Sequence, residues 1–141
     1  MKRVYLFSDG SALGNPGPGG YGTILRFNRH EKIIRGSSPH ATNNQMELRG
    51  VIEGLRALKE PCNVTIVSDS SYVVNSINKW LENWQKIDFK NKKNVDMWKE
   101  YLSVSKLHNV EAKWIKGHDG HAENELCDKI AKEEALKVKK E

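Results

Sequence analysis

Hydrophobic and polar positions along the chain switch between two periods. Val4 to Ser8 is a short apolar, β-branched and aromatic run, long enough for a buried strand and too short for a helix. The following Gly14-Asn15-Pro16-Gly17-Pro18-Gly19-Gly20 interrupts both periods and predicts a turn or loop. Tyr21 to Asn28 and Ile33 to Ser37 flank the charged Arg29-His30-Glu31-Lys32 and together predict a hairpin. Thr42, Asn43 and Asn44 are good N-cap residues ahead of Leu48, Val51, Ile52, Leu55 and Leu58 at helical spacing, and Pro61 ends that helix. Val64 to Ser68 repeats the buried-strand pattern. From Ser70 the spacing is helical through Tyr72, Val73 and Ile77 into a tryptophan and lysine segment. A further helix is predicted from Val95 to about Leu107, a last strand from Val110 to Ile115, and a charged helix from Glu123 to Lys139. This order predicts an α/β fold: a three-stranded antiparallel meander extended by two crossovers into a mixed five-stranded sheet with helices on both faces.

Composition narrows the class. A length of 141 residues suits one domain with its own core, and 38% hydrophobic with 29% charged residues excludes disordered and fibrous architectures. No apolar run approaches the roughly 20 residues of a membrane span. The run behind Met1-Lys2-Arg3 stops at Ser8 and Asp9, so no signal peptide is read and a cytoplasmic location with no membrane partner is expected. Cys62 and Cys127 lie far apart with no CxxC, so free thiols are expected. The net charge of +5 is uneven: between Trp84 and Asn94, Lys86, Lys90, Lys92 and Lys93 face a single acid, Asp88. Trp80, Trp84, Phe89 and Trp98 lie in and around this stretch, a mixture that suits a phosphate backbone with stackable bases. A solvated segment with inward-packed tryptophans carries the same pattern, and charge alone favours it.

The candidate chemistry begins with a local similarity. Val4-Tyr5-Leu6-Phe7-Ser8-Asp9 and Val64-Thr65-Ile66-Val67-Ser68-Asp69 are both apolar runs ending in Ser-Asp. As parallel neighbours they bring Asp9 and Asp69 to one carboxyl edge of the sheet, where open α/β sheets place their sites. Two adjacent carboxylates persist by sharing a proton or binding a cation, and hard oxygen ligands suit Mg²⁺. Taken singly, each aspartate reads better as a turn cap, and it is the matched pair that brings a metal site level with that reading. Glu47, in the first turns of a helix, is by itself a favourable N-terminal acid. Asp128 sits near the apolar side of the last helix, where an acid needs a partner. Gly117-His118-Asp119-Gly120-His121 is a short flexible loop whose histidines, with Cys127, lack a fourth ligand for structural zinc and are better placed to move protons. Gly17-Pro18-Gly19-Gly20-Tyr21-Gly22 satisfies GxGxxG, but it leads into a strand and not into a helix N-terminus that could receive a pyrophosphate.

Taken in order, four motifs resemble type 1 ribonuclease H of the bacterial kind: Asp9-Gly10-Ser11 with the Gly14 to Gly20 loop, Thr42-Asn43-Asn44-Gln45-Met46-Glu47-Leu48, Ser68-Asp69-Ser70, and Trp114-Ile115-Lys116-Gly117-His118 with Glu123-Asn124-Glu125 and Cys127-Asp128. The resemblance spans nearly the whole chain. It implies a ribonuclease H fold and endonucleolytic cleavage of the RNA strand of an RNA/DNA hybrid, leaving 5′-phosphate and 3′-hydroxyl ends. Asp9, Glu47, Asp69 and Asp128 fall on the family's metal-binding carboxylates and His118 on its loop histidine. The implied cofactor is a pair of Mg²⁺ ions, with Mn²⁺ able to substitute. One generates the attacking hydroxide and the other stabilises the departing 3′ oxygen. Gly10, Ser11 and Ser71 fall on substrate-contacting positions. Asn15, Asn43 and Asn44 match residues that contact the hybrid's minor groove, where 2′-hydroxyls are displayed. Trp80, Trp84 and Lys86 match a basic protrusion that holds the DNA strand, and Thr42 and Asn94 match a pocket for a DNA phosphate. This reverses the preference that charge alone gives the tryptophan and lysine segment.

The chain departs from the family in a basic protrusion several residues shorter, in His40 where an arginine often joins the phosphate pocket, and in Ser71 for a common glutamine. Weaker hybrid affinity or altered processivity is expected, with the chemistry kept. A single catalytic domain over 1–141 is expected, without a separate hybrid-binding domain, acting as a monomer with no obligate protein partner. Because the first strand starts almost at Met1, a nuclease tail of a longer reverse transcriptase is not expected. The alternative is a non-catalytic hybrid-binding module of the same fold, whose usual sign is loss of a carboxylate. A two-carboxylate glycosidase needs exposed aromatics in a sugar cleft, whereas here they cluster with lysine.

Overall fold

A computed structural model describes residues 1–139. Its five strands are β1 (Lys2–Ala12), β2 (Gly17–Phe27), β3 (His30–Ala41), β4 (Cys62–Ser68) and β5 (Asn109–Trp114), in the spatial order β3-β2-β1-β4-β5. The meander β1 to β3 is antiparallel, whereas β4 joins β1 and β5 joins β4 in parallel. This is the expected mixed sheet.

The helices are α1 (Asn43–Arg56), α2 (Ser71–Asn75), α3 (Leu81–Lys86), α4 (Val95–Ser105) and α5 (Ala122–Val138). Thr42 opens α1 through a capping box: its hydroxyl accepts the Gln45 N–H while the Gln45 side chain takes the Thr42 N–H. The core lies between the sheet and the α1, α2 and α4 side, where Leu6, Leu48, Val51, Ile52, Val64, Ile66, Val73 and Trp98 are fully buried. Cys62 and Cys127 are both buried and free. Among the described residues no helix is long and apolar enough to cross a membrane.

Three expectations change. The glycine and proline run is not all loop, because β2 already begins at Gly17. Glycine is required there by α5, which packs against the other face of the sheet: a Cβ at Gly20 would lie 2.3 Å from the Ala131 carbonyl oxygen. The hairpin turn is also tighter than Arg29 to Lys32. Phe27 pairs with His30, and Asn28 takes the left-handed conformation at φ 54° that asparagine tolerates.

The long helix from Ser70 is broken. Between α2 and α3 the residues Ser76–Trp80 form a π-helical turn. This turn places Asn78 beside β5, where its amide nitrogen donates to the Ala112 carbonyl at 2.8 Å and its oxygen accepts the Ala112 N–H at 3.2 Å. The aromatics on either side of it converge on Trp98, with Tyr72, Trp84 and Tyr101 edge-on at ring separations of 5.9, 6.0 and 5.5 Å.

Candidate active site

The parallel register of β1 on β4 pairs Phe7 with Val67, so two residues later Asp9, still paired with Gly22 of β2, and Asp69, just past the end of β4, come to the same edge. Helix α1 crosses this edge and adds Glu47. One carboxylate oxygen from each of Asp9, Glu47 and Asp69 lies within 4.8 Å of the others. The approach is permitted by Gly10, where a Cβ would stand 2.3 Å from the Glu47 nitrogen. The Gly10 N–H donates to the Asp9 carboxylate at 3.0 Å and also to Glu47. Asp69 is held from the other side: Trp114 Nε1 donates to its main-chain oxygen at 3.0 Å, and the loop backbone at Gly117 packs against its carboxylate.

Three acids so close are electrostatically costly. Burial pushes the Asp9 carboxyl up to about 6, the charges of Asp69 and Asp128 add to this, and the hydrogen bonds from Glu47 and Gly10 oppose it. Glu47 is raised well above its ordinary value, first by burial and then by Asp9. A divalent cation relieves both the desolvation and the repulsion, and an all-carboxylate set suits a hard ion.

The remaining candidates surround this cluster. Asp128 and His118 line the same cleft of about 450 Å³ with Asn43, Asn44, Ser71 and Tyr72. Asp128 stands outside the three-oxygen group and pairs with Lys132 at 3.0 Å, one turn along α5. His118 is exposed in the left-handed region at φ 56°. The Asn15 side chain accepts the Asn43 N–H at 2.9 Å, and Asn43 accepts the Ala12 N–H at 2.8 Å, so these two asparagines pin the β1–β2 connection to the start of α1. Ser11 lies opposite Gly20 in the sheet. Thr42 and Asn94 are brought together through Gln45, and His40 is exposed nearby on β3.

The tryptophans divide. Trp80 is 41% exposed, whereas Trp84 is 9% exposed and belongs to the core with Trp98. Trp84 therefore offers much less surface to a base than Trp80, and its ring is covered on one side by Lys92 at 5.5 Å. Lys86 projects into solvent, 3.8 Å from Glu82. Two residues that the sequence reading passed over, Gln45 and Tyr72, join this region by hydrogen bonds. Gln45 carried a readable signal, the Thr42-x-x-Gln45 capping box. Tyr72 read only as a helical apolar position.

A family model described as RNase H matches residues 1–136. The chain belongs to the ribonuclease H family. Its similarity to individual ribonucleases H runs end to end. It is 62% identical over 141 residues to "Ribonuclease H" of Campylobacter concisus, covering 100% of this chain and 98% of that one. It is 58% identical over 137 residues to "Ribonuclease HI" of Helicobacter pylori, covering 97% and 96%. Among solved structures, LC9-RNase H1, described as a type 1 RNase H with the type 2 active-site motif, superposes with a TM-score of 0.89 at 31% identity, covering 99% of this chain and 74% of that one. These similarities identify a type 1 ribonuclease H.

Proposed function

We propose that the cleft around Asp9, Glu47 and Asp69 is where the chain holds its metal ions and cuts RNA, with Asp128 as the fourth carboxylate and His118 as the loop histidine. The chain is an endoribonuclease acting on the RNA strand of RNA/DNA hybrids. The observation that carries the site assignment is the convergence of three carboxylate oxygens within 4.8 Å at the carboxyl edge of the sheet. Two Mg²⁺ ions, or Mn²⁺ in their place, would supply Lewis acidity that activates water and stabilises the departing 3′ oxygen.

The protein's own groups do the rest. Asp9 and Glu47, kept close by the shared Gly10 N–H, present a fixed concentration of negative charge for cations to neutralise. His118, exposed on its loop at the cleft mouth, is placed to move a proton at the leaving group. Asn15, Asn43 and Asn44 read the minor groove of the hybrid, where the RNA 2′-hydroxyl distinguishes it from duplex DNA. Gly10, Ser11 and Ser71 line the path of the strand. Thr42 and Asn94 hold a DNA phosphate, and Trp80 with Lys86 supports the DNA strand beyond it. The chain works as a single domain and as a monomer in the cytoplasm.

The test is incubation with an end-labelled RNA/DNA hybrid in Mg²⁺, Mn²⁺ or EDTA, beside single-stranded RNA, duplex RNA and duplex DNA. Metal-dependent cutting confined to the RNA of the hybrid is expected. Binding of the hybrid by folded protein without cutting in either metal would favour the non-catalytic module instead.

A further inference from the structure

A hydrogen-bonded line runs from the start of α1 to the body of α4. The Thr42 N–H donates to Gln45 Oε1 at 2.9 Å, Gln45 Nε2 to Asn94 Oδ1 at 3.3 Å, and Asn94 Nδ2 to Tyr72 Oη at 3.1 Å. From the opposite end Trp98 Nε1 donates to the same Tyr72 oxygen at 2.8 Å. A backbone N–H and an indole N–H can only donate, so both ends of the line impose an orientation on everything between them. Gln45 must turn its oxygen to Thr42 and so its nitrogen to Asn94. Asn94 must then turn its oxygen to Gln45 and its nitrogen to Tyr72.

Each oxygen in the line already accepts a hydrogen bond, Thr42 Oγ1 included, which takes the Gln45 N–H at 3.1 Å. What is left over is a set of donors: the second amide hydrogens of Gln45 and Asn94 and the hydroxyl hydrogens of Thr42 and Tyr72. Donors gathered with their acceptors occupied suit an anion. Asn94 also caps α4 from the left-handed region at φ 58°: its carbonyl accepts the Trp98 N–H at 3.0 Å, but its side chain makes no capping bond to the helix and so needs another anchor. Tyr72 provides one, because its ring packs edge-on at 5.9 Å against the fully buried Trp98. Tyr72 also follows Asp69 by three residues and lines the same cleft.

We propose that Tyr72 is a positioning residue for the DNA-phosphate pocket, its hydroxyl oxygen holding the Asn94 amide in the orientation that receives the phosphate and keeping that pocket at a fixed offset from the carboxylates; this rests on the ribonuclease H reading of Thr42 and Asn94. The tyrosine acts through Asn94 and touches no reacting atom. Its contribution therefore falls on binding and leaves the chemical step alone.

Tyr72→Phe keeps the ring against Trp98 and removes only the acceptor. It is compared with wild type, with Asn94→Gly, which keeps the left-handed backbone, and with the double variant. Hybrid affinity is measured in Ca²⁺, and KM and kcat are measured in Mg²⁺. Tyr72→Phe is expected to raise Kd and KM about 3- to 10-fold with kcat within about twofold, and the double variant to bind no worse than Asn94→Gly alone. In wild type, the Trp98 indole N–H resonance is expected to shift on adding hybrid, and not to shift with a hybrid whose contacted DNA phosphate is a neutral methylphosphonate. This second readout holds whether or not the variants fold. Unchanged Kd and KM for Tyr72→Phe, penalties that multiply in the double variant, or an indole resonance indifferent to hybrid would overturn the inference while leaving an active wild type intact. A wild type that neither binds nor cuts hybrid would overturn the ribonuclease reading of the site, and the inference with it.

Discussion

The main-chain N–H of Gly10 donates to the carboxylate of Glu47, so the strand that carries Asp9 also fixes the helix acid beside it. Any side chain at position 10 meets the α1 backbone at 2.3 Å and must push the helix off the sheet. Gly10→Ala is expected to cost about 1–3 kcal/mol of stability, as overpacking does, and to weaken divalent-cation binding measured by calorimetry. Wild-type cation affinity in that variant would show that α1 tolerates displacement and that Glu47 is not held by this contact.

Asp69 differs from its partners in being half-exposed, open to the cleft and anchored through its backbone by Trp114. Asp69→Asn preserves that anchor while removing a charge. Cleavage of hybrid is expected to fall by at least about 100-fold, given that even groups behind a metal ligand are worth 10–100-fold, with the circular dichroism spectrum and hybrid affinity retained. Metal-dependent turnover near the wild-type rate would remove Asp69 from the cation site.

The carboxyl of Asp9, pushed up to about 6 mainly by burial, has a stability consequence with a definite sign. A folded-state value above the unfolded one means the contribution is fully present below the unfolded value near 3.8 and is lost as pH rises through about 6. Glu47, also raised, acts in the same direction. His108, lowered by burial and accepting the Cys62 N–H, acts oppositely as pH falls below its ordinary 6.5, so wild type is best compared with a variant that keeps it. In EDTA, Asp9→Asn is expected to gain about 1–2 kcal/mol on wild type between pH 5 and pH 7.5, read as several degrees in Tm. A Tm difference that stays constant across that range would mean the Asp9 carboxyl titrates normally in the folded chain.

Trp80 and Trp84 are neighbours, at ring separation 5.9 Å, with opposite surroundings. Trp80→Ala is expected to leave Tm within a few degrees and to weaken hybrid binding by about 1–3 kcal/mol, the worth of one stacking platform. Trp84→Ala is expected to cost about 3–5 kcal/mol of folding stability, as for a buried aromatic. Chemical denaturation and hybrid titration on both variants separate the two roles. A reversed pattern would mean that Trp84, not Trp80, meets the nucleic acid.

Asp9 and Asp69 are legible in the sequence because each ends a short apolar run, and the run itself dictates a strand whose parallel neighbour ends at the same level. Glu47 is not legible from spacing. Its place depends on a contact across 37 residues, through a glycine whose missing side chain lets the helix approach. The Gly17 to Gly22 stretch misleads for a related reason: glycine usually signals a turn, yet here several of these residues continue a strand so that α5 can lie against it. Resemblance to the family's sequence motifs points to Glu47 and the phosphate pocket, while local pattern alone points to the sheet order.

The break in the helix after Tyr72 is invisible to a hydrophobic pattern, since Val73, Ile77 and Leu81 keep a four-residue spacing through it. Burial separates Trp84 from Trp80 in the same way. Lysine and tryptophan interleaved in a sequence mark both a base platform and a packed aromatic cluster, and the protein uses the stretch for a core tryptophan and an exposed one.

The π-helical turn that sets Asn78 against β5 gives the sheet a stop. Its amide takes both the N–H and the carbonyl of Ala112, occupying a pair of the outward groups by which the outermost strand could recruit a foreign one. A six-residue edge strand is thereby denied its central rung, and the sheet is protected at that edge against strand-to-strand aggregation.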